Sequence, residues 1–137
     1  MALRGRGALV LADEAVYSIG DLVRLLREDA ADAVSVYVGK SAGLERAVEQ
    51  GRLAAAFGLQ VVLGSNLEAD LGAAAILHVA CAIEGLSNSI PSGASGPLHY
   101  VERIAKIPLD IDGRRAVLPD GPGLGVEPPT EFEGRFR

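Results

Sequence analysis

Four polar residues with the chemistry of acid–base or metal sites recur along the chain at nearly equal intervals. Asp13 and Lys40 each end an apolar run, and Asn66 and Glu68 follow a third run about 27 residues beyond Lys40. A carboxylate and an amine that are brought together can hold a divalent cation and move a proton. The spacing alone leaves a second interpretation open, in which these are ordinary polar loop residues and Asp13 caps the next helix.

The elements that would position these residues are strands alternating with helices over residues 1–85. Short apolar runs rich in β-branched residues predict strands over 9–13, 33–38 and 60–63. Apolar residues at helical spacing predict helices over 19–26, 44–57 and 67–83. Ser18, followed three residues later by Asp21, is a weak capping-box signal for the first helix. Such alternation predicts a parallel sheet with right-handed crossovers.

Parallel α/β structures bind ligands at the carboxyl ends of their strands. Asp13, Lys40, Asn66 and Glu68 all follow predicted strands, so the sheet would present them along one edge. Three near-equal units favour a barrel over a Rossmann sheet, and no Gly-x-Gly-x-x-Gly motif follows the first strand. The predicted fold class is therefore α/β: a partial (β/α) TIM-type barrel of about three βα units with a C-terminal strand and loop extension.

Residues 86–137 differ in composition from the repeats. A turn-rich stretch over 87–97 is followed by two short predicted strands, 104–107 and 116–118, which the turn signal Asp112-Gly113 would join as a hairpin. The glycine-rich tail 120–126 is predicted to be irregular. We expect one domain over 1–137, with 1–85 as the βα repeats and 86–137 as the last-strand region and C-terminal extension.

Composition excludes several classes of function. Half of the chain (49%) is hydrophobic, and 13 Lys+Arg stand against 18 Asp+Glu without a basic run, which argues against disorder and against nucleic-acid binding. The apolar stretch 71–83 is too short to span a membrane, and the N-terminal apolar run is too short for a signal peptide. A single cysteine, Cys81, favours a reducing compartment, so we expect a cytoplasmic protein. Cys81 and His78 are predicted to be packed on the third helix rather than to bind a ligand.

Four short motifs occur together in an order and spacing that resemble a known family. They are Ala-Asp-Glu at 12–14, Ser-Val-Tyr-Val-Gly-Lys-Ser-Ala-Gly at 35–43, Gly-Ser-Asn-Leu-Glu at 64–68 and Pro-Asp-Gly-Pro-Gly-Leu-Gly-Val-Glu at 119–127. Together they resemble the C-terminal part of the mandelate racemase and muconate lactonizing enzyme family, within the enolase superfamily. The resemblance extends over almost the whole chain.

The resemblance implies a fold and a chemistry. Members of the family join an α+β capping domain to a modified (β/α) barrel that binds Mg²⁺ through three strand-end acids, and they remove the proton next to a substrate carboxylate. By this resemblance Asp13 is the third metal ligand and Lys40 is the acid/base lysine of the following strand. Asn66 and Glu68 match the next strand end, which lines the substrate pocket. The reaction would be cycloisomerisation, racemisation or dehydration of a small carboxylate substrate.

This sequence departs from the family pattern in two ways that change the expected function. The family's Lys-x-Lys motif and its two other metal-binding acids are not in this sequence, which has about half of the roughly 250 residues of a complete barrel. The acid of the last strand is also missing, and Gly93 is the residue nearest to its place. We therefore expect the isolated chain to be inactive and to bind Mg²⁺ weakly or not at all, since one carboxylate is a poor Mg²⁺ site.

Other functions stay open at this point. A half barrel has open strand edges, which predicts a homo-oligomer or a complementing N-terminal segment as partner. The alternatives to an enzyme fragment are a non-catalytic half-barrel remnant and a self-associating or small-molecule binding module. No membrane or nucleic-acid partner is expected.

Overall fold

The computed structural model describes residues 7–112 and 114–130, in which strands and helices alternate along the chain. In chain order the elements are β1 (Leu11–Ala12), α1 (Ile19–Arg27), β2 (Ala33–Val36), α2 (Leu44–Ala56), β3 (Gln60–Leu63) and α3 (Asp70–Ala82), followed by a short 3₁₀ helix (Gly96–His99). The three strands form one parallel sheet in the order β1-β2-β3. The predicted α/β class with a parallel sheet is therefore confirmed.

The ends of several elements differ from the predicted ones, for local reasons. The third helix begins at Asp70 instead of residue 67, because Leu67 has a left-handed backbone (φ 61) that an α-helix cannot include. β1 is only two residues long, since the chain turns at Asp13, whose carbonyl oxygen accepts a hydrogen bond from the Val16 amide (3.1 Å). The predicted capping box is present: the Ser18 side chain accepts from the Asp21 amide, and the Asp21 carboxylate accepts from the Ser18 amide.

The main core lies between the sheet and the helices that cover one of its faces. All four residues of β2 are buried, and β2 is the central strand of the sheet. Apolar side chains from all three strands and all three helices meet in one cluster, with these buried members: Ala12, Val16, Leu22, Ala31, Val34, Val36, Ala47, Ala54, Leu59, Val61, Leu63, Ile76, Val79 and Ile83. This packing fixes the register of the strands, and with it the positions of the loops that follow them.

Two smaller predictions about α3 have different outcomes. Cys81 is exposed, so its predicted packing is wrong: it lies on the face of α3 that points away from the core. His78 is partly buried, and its Nε2 atom lies 3.2 Å from the Leu124 carbonyl oxygen, which agrees with a structural role. Within the part of the chain that the structure describes, no helix has the length and apolar character needed to cross a membrane.

After α3 the chain returns beside β3 without forming a continuous strand. The Ser87 amide donates to Val61 O (2.7 Å), and the Gly93 amide donates to Leu63 O (2.7 Å). Between these points the Ser92 hydroxyl accepts from the Leu63 amide (3.0 Å). Residues 87–93 thus provide hydrogen-bond partners for the outer edge of β3 at only a few positions.

The predicted hairpin between 104–107 and 116–118 is wrong, because the two segments pair with other residues and not with each other. Ile107 pairs with Glu127, whereas Ala116 pairs with Ile111, each as an isolated antiparallel bridge. The turn itself is near its predicted position, because the Asp112 carboxylate accepts from the Arg114 and Arg115 amides (2.9 and 2.8 Å), while Gly113 lies outside the described residues. The tail 120–126 is irregular, as predicted.

Candidate active site

The site predicted from the sequence lies where the three strands end. Asp13 directly follows β1, Tyr37 directly follows β2 with Lys40 three residues later, and the loop after β3 contains Asn66 and Glu68. Because the strands are parallel, these ends share one edge of the sheet. The structure therefore places all four predicted residues at that edge, but it joins only some of them in direct contacts.

Asp13 and Lys40 form the centre of the site. The Lys40 ammonium nitrogen donates to Asp13 Oδ1 (2.9 Å), to Asp13 O (2.7 Å) and to Ser35 O (3.1 Å). A protonated lysine has three N–H donors, so each of them has an acceptor here. The Lys40 side chain is only 6% exposed, whereas that of Asp13 is 33% exposed. Lys40 is thus a buried cation that binds both the side chain and the backbone of the residue after β1.

Two aromatic rings complete the surroundings of the Lys40 ammonium. Tyr37 donates its hydroxyl to Asp13 Oδ2 (3.0 Å), and its ring centroid lies 4.3 Å from Lys40 Nζ; the Tyr17 centroid lies 5.7 Å away. Burial and the hydrogen bond to the Asp13 carboxylate both raise the pKa of the Tyr37 phenol, because each favours its neutral form. Sequence reasoning missed Tyr37 as a site residue. Its position directly after a predicted strand and beside the lysine motif was the available signal.

Asn66 and Glu68 lie at the same edge, but their contacts are local. Glu68 Oε2 accepts from the Ser65 hydroxyl and from the Asn66 amide (2.9 Å), so the carboxylate stabilises its own loop. The Tyr100 hydroxyl donates to Leu67 O (2.6 Å) and attaches this loop to the chain that follows the 3₁₀ helix. The Asn66 residue is exposed. The third strand end therefore offers an exposed amide and a carboxylate already engaged by its neighbours.

A buried glutamine joins the loops after β1 and β2. Gln50 of α2 is 2% exposed; its Oε1 accepts from the Ser41 hydroxyl (2.7 Å) and its Nε2 donates to Tyr17 O (3.1 Å). Ser41 directly follows Lys40, and Tyr17 lies in the loop that begins at Asp13. Because buried amides are stable only when hydrogen-bonded, Gln50 holds the two loops at a fixed separation.

The described residues do not fit a Mg²⁺ ion. Mg²⁺ requires near-octahedral oxygen ligands and anionic partners. Both carboxylate oxygens of Asp13 are engaged, one by Lys40 and the other by Tyr37, and the Glu68 carboxylate is bound within its own loop. Across residues 7–112 and 114–130, no group of three His, Cys, Asp or Glu side chains is arranged to hold a metal. The site is therefore an ion-pair cluster centred on the Lys40 ammonium.

Polar residues at the carboxyl edge of a parallel sheet, positioned by βα loops, define the class of this protein: an α/β domain whose functional groups follow its strands. The family model described as "Enolase C-terminal domain-like" matches residues 2–132. The chain belongs to that family, and the resemblance noted in the sequence is confirmed.

The chain is also similar to individual members of this family. The chain is 34% identical over 118 residues to muconate cycloisomerase 1 of Rhodococcus opacus, with 86% of this chain and 31% of the relative covered. It is 38% identical over 128 residues to the hydrophobic dipeptide epimerase of Citrifermentans bemidjiense, with 93% and 34% covered. The crystal structure of 2-chloromuconate cycloisomerase from Rhodococcus opacus 1CP superposes with a TM-score of 0.87 at 28% identity, with 94% and 36% covered. The chain thus spans about a third of the length of these proteins.

Proposed function

We propose that this chain is the C-terminal portion of an isomerase that acts on a small carboxylate substrate, by cycloisomerisation or by epimerisation next to a carboxylate. Racemisation and dehydration stay possible within the same chemistry. The observation that carries the proposal is the placement of Asp13, Lys40, Asn66 and Glu68 at one edge of a parallel sheet. The kinship with a muconate cycloisomerase and a dipeptide epimerase supports it.

The roles of the residues follow from their surroundings. Lys40 is the proposed acid/base, because it is the amine at the strand edge and an amine can accept and donate a proton. Asp13 orients Lys40 and is the carboxylate that a metal would use in a complete enzyme. Asn66 and Glu68 are proposed to line the substrate pocket. Mg²⁺ belongs to this proposal only as a property of complete relatives, since the donors described here do not fit it.

The proposed architecture is a partial (β/α) barrel formed by residues 1–137 as one domain. Residues 1–85 supply the βα repeats, and 86–137 supply the last-strand region and the C-terminal extension. A complementing N-terminal segment would cover β1 and add the missing acids and lysines. In this chain alone every Lys40 proton is engaged, so we expect the chain by itself not to transfer protons.

A complementation assay tests the enzymatic proposal. The chain is mixed with the N-terminal two thirds of the Rhodococcus opacus relative, and solvent deuterium exchange into muconolactone and hydrophobic dipeptides is followed by NMR. We expect no exchange with either part alone and measurable exchange with both. Lys40→Met should then lower the rate by about 100-fold or more, the usual contribution of a general acid or base.

Lys106→Met is the matched control, because Lys106 is an exposed lysine paired with Glu127 away from the strand edge. The control should exchange at the rate of the unmodified chain. Exchange that is absent from the mixture, or that survives Lys40→Met, would contradict the proposed role of Lys40.

A second candidate function, a self-associating half-barrel remnant, is favoured by one observation. Among the strands that the structure describes, β1 pairs only with β2, and the nearby Leu9 and Leu11 side chains are exposed. An unpaired strand edge beside apolar side chains favours pairing with another chain. Light scattering after size-exclusion chromatography should show a dimer or larger species that Leu11→Lys shifts towards the monomer. Leu98→Lys, at an exposed position of the 3₁₀ helix, is the control, and a monomer for the unmodified chain would refute this candidate.

A further inference from the structure

The turn that follows Lys40 has a strained backbone. Ala42 is in the left-handed region (φ 62), which is unfavourable for a residue with a Cβ atom. Ser41, between Lys40 and Ala42, is 3% exposed, and its amide donates to Tyr37 O (2.9 Å). Because a strained backbone persists only where the surrounding structure holds it, the position of Lys40 depends on the groups that fix this turn.

One buried side chain joins this turn to the loop after β1. Gln50 accepts from the Ser41 hydroxyl (2.7 Å), donates to Tyr17 O (3.1 Å) and is 2% exposed. The Tyr17 ring centroid lies 5.7 Å from Lys40 Nζ, and the loop that contains Tyr17 begins at Asp13. The Gln50 amide therefore connects the same two loops that the ion pair of Lys40 with Asp13 connects.

We infer that Gln50 is a positioning residue of the candidate active site: it holds the Lys40 ammonium at Asp13 by fixing the separation of the two loops. Gln50 acts through Ser41 and the backbone of Tyr17. Its part in catalysis rests on the proposed function of Lys40, whereas its effect on the position of the ammonium does not.

The amide suits this position because the two loops present one donor and one acceptor. The Ser41 hydroxyl is the donor and Tyr17 O is the acceptor, and an amide side chain binds both at once. Without the amide, a buried hydroxyl and a buried carbonyl would lose their partners, which is costly where water is excluded. Local opening of the loops would hydrate both groups and expose Lys40 without unfolding the core.

Lysine methylation of the full chain, with formaldehyde and cyanoborohydride and read out by peptide mass spectrometry, tests this inference. Lys106, whose side chain is 54% exposed, is the internal reference in every sample. Gln50→Met keeps a long side chain but removes both hydrogen bonds. We expect it to raise the ratio of the Lys40 rate to the Lys106 rate about 10-fold, because local opening becomes more frequent.

Gln60→Met is the matched control, because it also removes hydrogen bonds of a glutamine. Gln60 lies at the amino end of β3, where its Oε1 accepts from the Ser87 and Ser89 hydroxyls (2.8 Å each). This variant should leave the Lys40 ratio unchanged.

Kinetics in the complementation mixture test the part in catalysis. Gln50→Met should lower kcat for deuterium exchange about 10-fold and leave KM nearly unchanged, since it displaces the proposed acid/base and not the groups proposed to line the substrate pocket. A kcat that equals that of the unmodified chain would refute this part of the inference.

An unchanged Lys40 ratio in Gln50→Met, or an equal rise in Gln60→Met, would overturn the positioning role. If Gln50→Met does not fold, Ser41→Ala decides, because it removes only one of the two hydrogen bonds. That variant should raise the Lys40 ratio too, and an unchanged ratio would overturn the inference. A raised ratio with no exchange in any mixture would support the positioning of Lys40 and contradict the proposed function.

Discussion

Asp70→Asn is expected to lower the free energy of unfolding by about 3 kcal/mol at neutral pH, the cost of breaking a buried ion pair by removing one partner. Asp70 begins α3 and is 1% exposed. Its carboxylate accepts from the Arg103 guanidinium (Nε to Oδ1, 2.9 Å) and from the Leu109 amide (2.9 Å). Arg103 also donates to Leu109 O (2.7 Å), so the three residues attach the C-terminal extension to the helix.

The same contacts give the stability a defined pH dependence. Burial alone would raise the pKa of the Asp70 carboxyl, but the hydrogen bonds from Arg103 and Leu109 outweigh it and lower the pKa below the ordinary value of 3.8. A carboxyl group with a lowered folded-state pKa contributes stability above its unfolded-state pKa and loses it as the pH falls through the folded-state pKa. The unmodified chain should therefore lose stability below about pH 4 more steeply than Asp70→Asn does.

Urea unfolding at pH 7 and at pH 3 measures both effects. Glu127→Gln is the control, because Glu127 pairs with Lys106 at the surface and such exposed pairs contribute about 0–1 kcal/mol. An Asp70→Asn variant as stable as this control at pH 7 would show that the Arg103 contact does not hold the extension. If Asp70→Asn and Glu127→Gln lost stability to the same extent between pH 7 and pH 3, carboxyl groups other than Asp70 would be the cause of the acid sensitivity.

The helices and strands could be predicted where the sequence signals that specify them involve residues close together in the chain. The α2 and β3 boundaries and the α1 capping box follow from periodicity and from residues within one turn of each other. The Asp70–Arg103 pair was not predictable, because its partners are 33 residues apart and Asp70 lies within the predicted apolar helix 67–83. The wrong hairpin has the same origin: Ile107 pairs with Glu127 across a chain reversal that no local residue pattern indicates.

In the candidate site too, the positions of the residues could be predicted from the sequence, whereas their contacts could not. The regular spacing of polar residues placed Asp13, Lys40, Asn66 and Glu68 at one strand edge, because parallel strands end together. The contacts within that edge depend on side-chain direction, which spacing does not specify. Lys40 therefore bonds to the backbone of Asp13, and Glu68 turns into its own loop, in ways that only the structure reveals.

Gly96→Ala is expected to destabilise the fold by about 2–3 kcal/mol, at the upper end of what inserting one methyl group into a packed position costs. Gly96 is buried at the start of the 3₁₀ helix, against the backbone of the loop that follows β3. A Cβ atom there would lie 2.7 Å from Leu67 C and 2.8 Å from Glu68 N, closer than real contacts allow. Backbone atoms cannot rotate away as a side chain can, so the loop or the 3₁₀ helix must move.

Gly93→Ala provides the matched control three residues earlier, because its Cβ atom would meet only ordinary contacts, with Leu63 O and Ser65 Cβ each at 3.8 Å. We expect this variant to stay within about 0.5 kcal/mol of the unmodified chain in urea unfolding. Equal destabilisation by both variants would contradict the close-approach explanation, since a Cβ atom meets backbone atoms closely only at Gly96. A selective loss at Gly96 would instead show that the loop containing Asn66 and Glu68 is positioned by the 3₁₀ helix pressed against its backbone. The position where the resemblance leads one to expect an acid would then accept a Cβ atom without disturbing that loop.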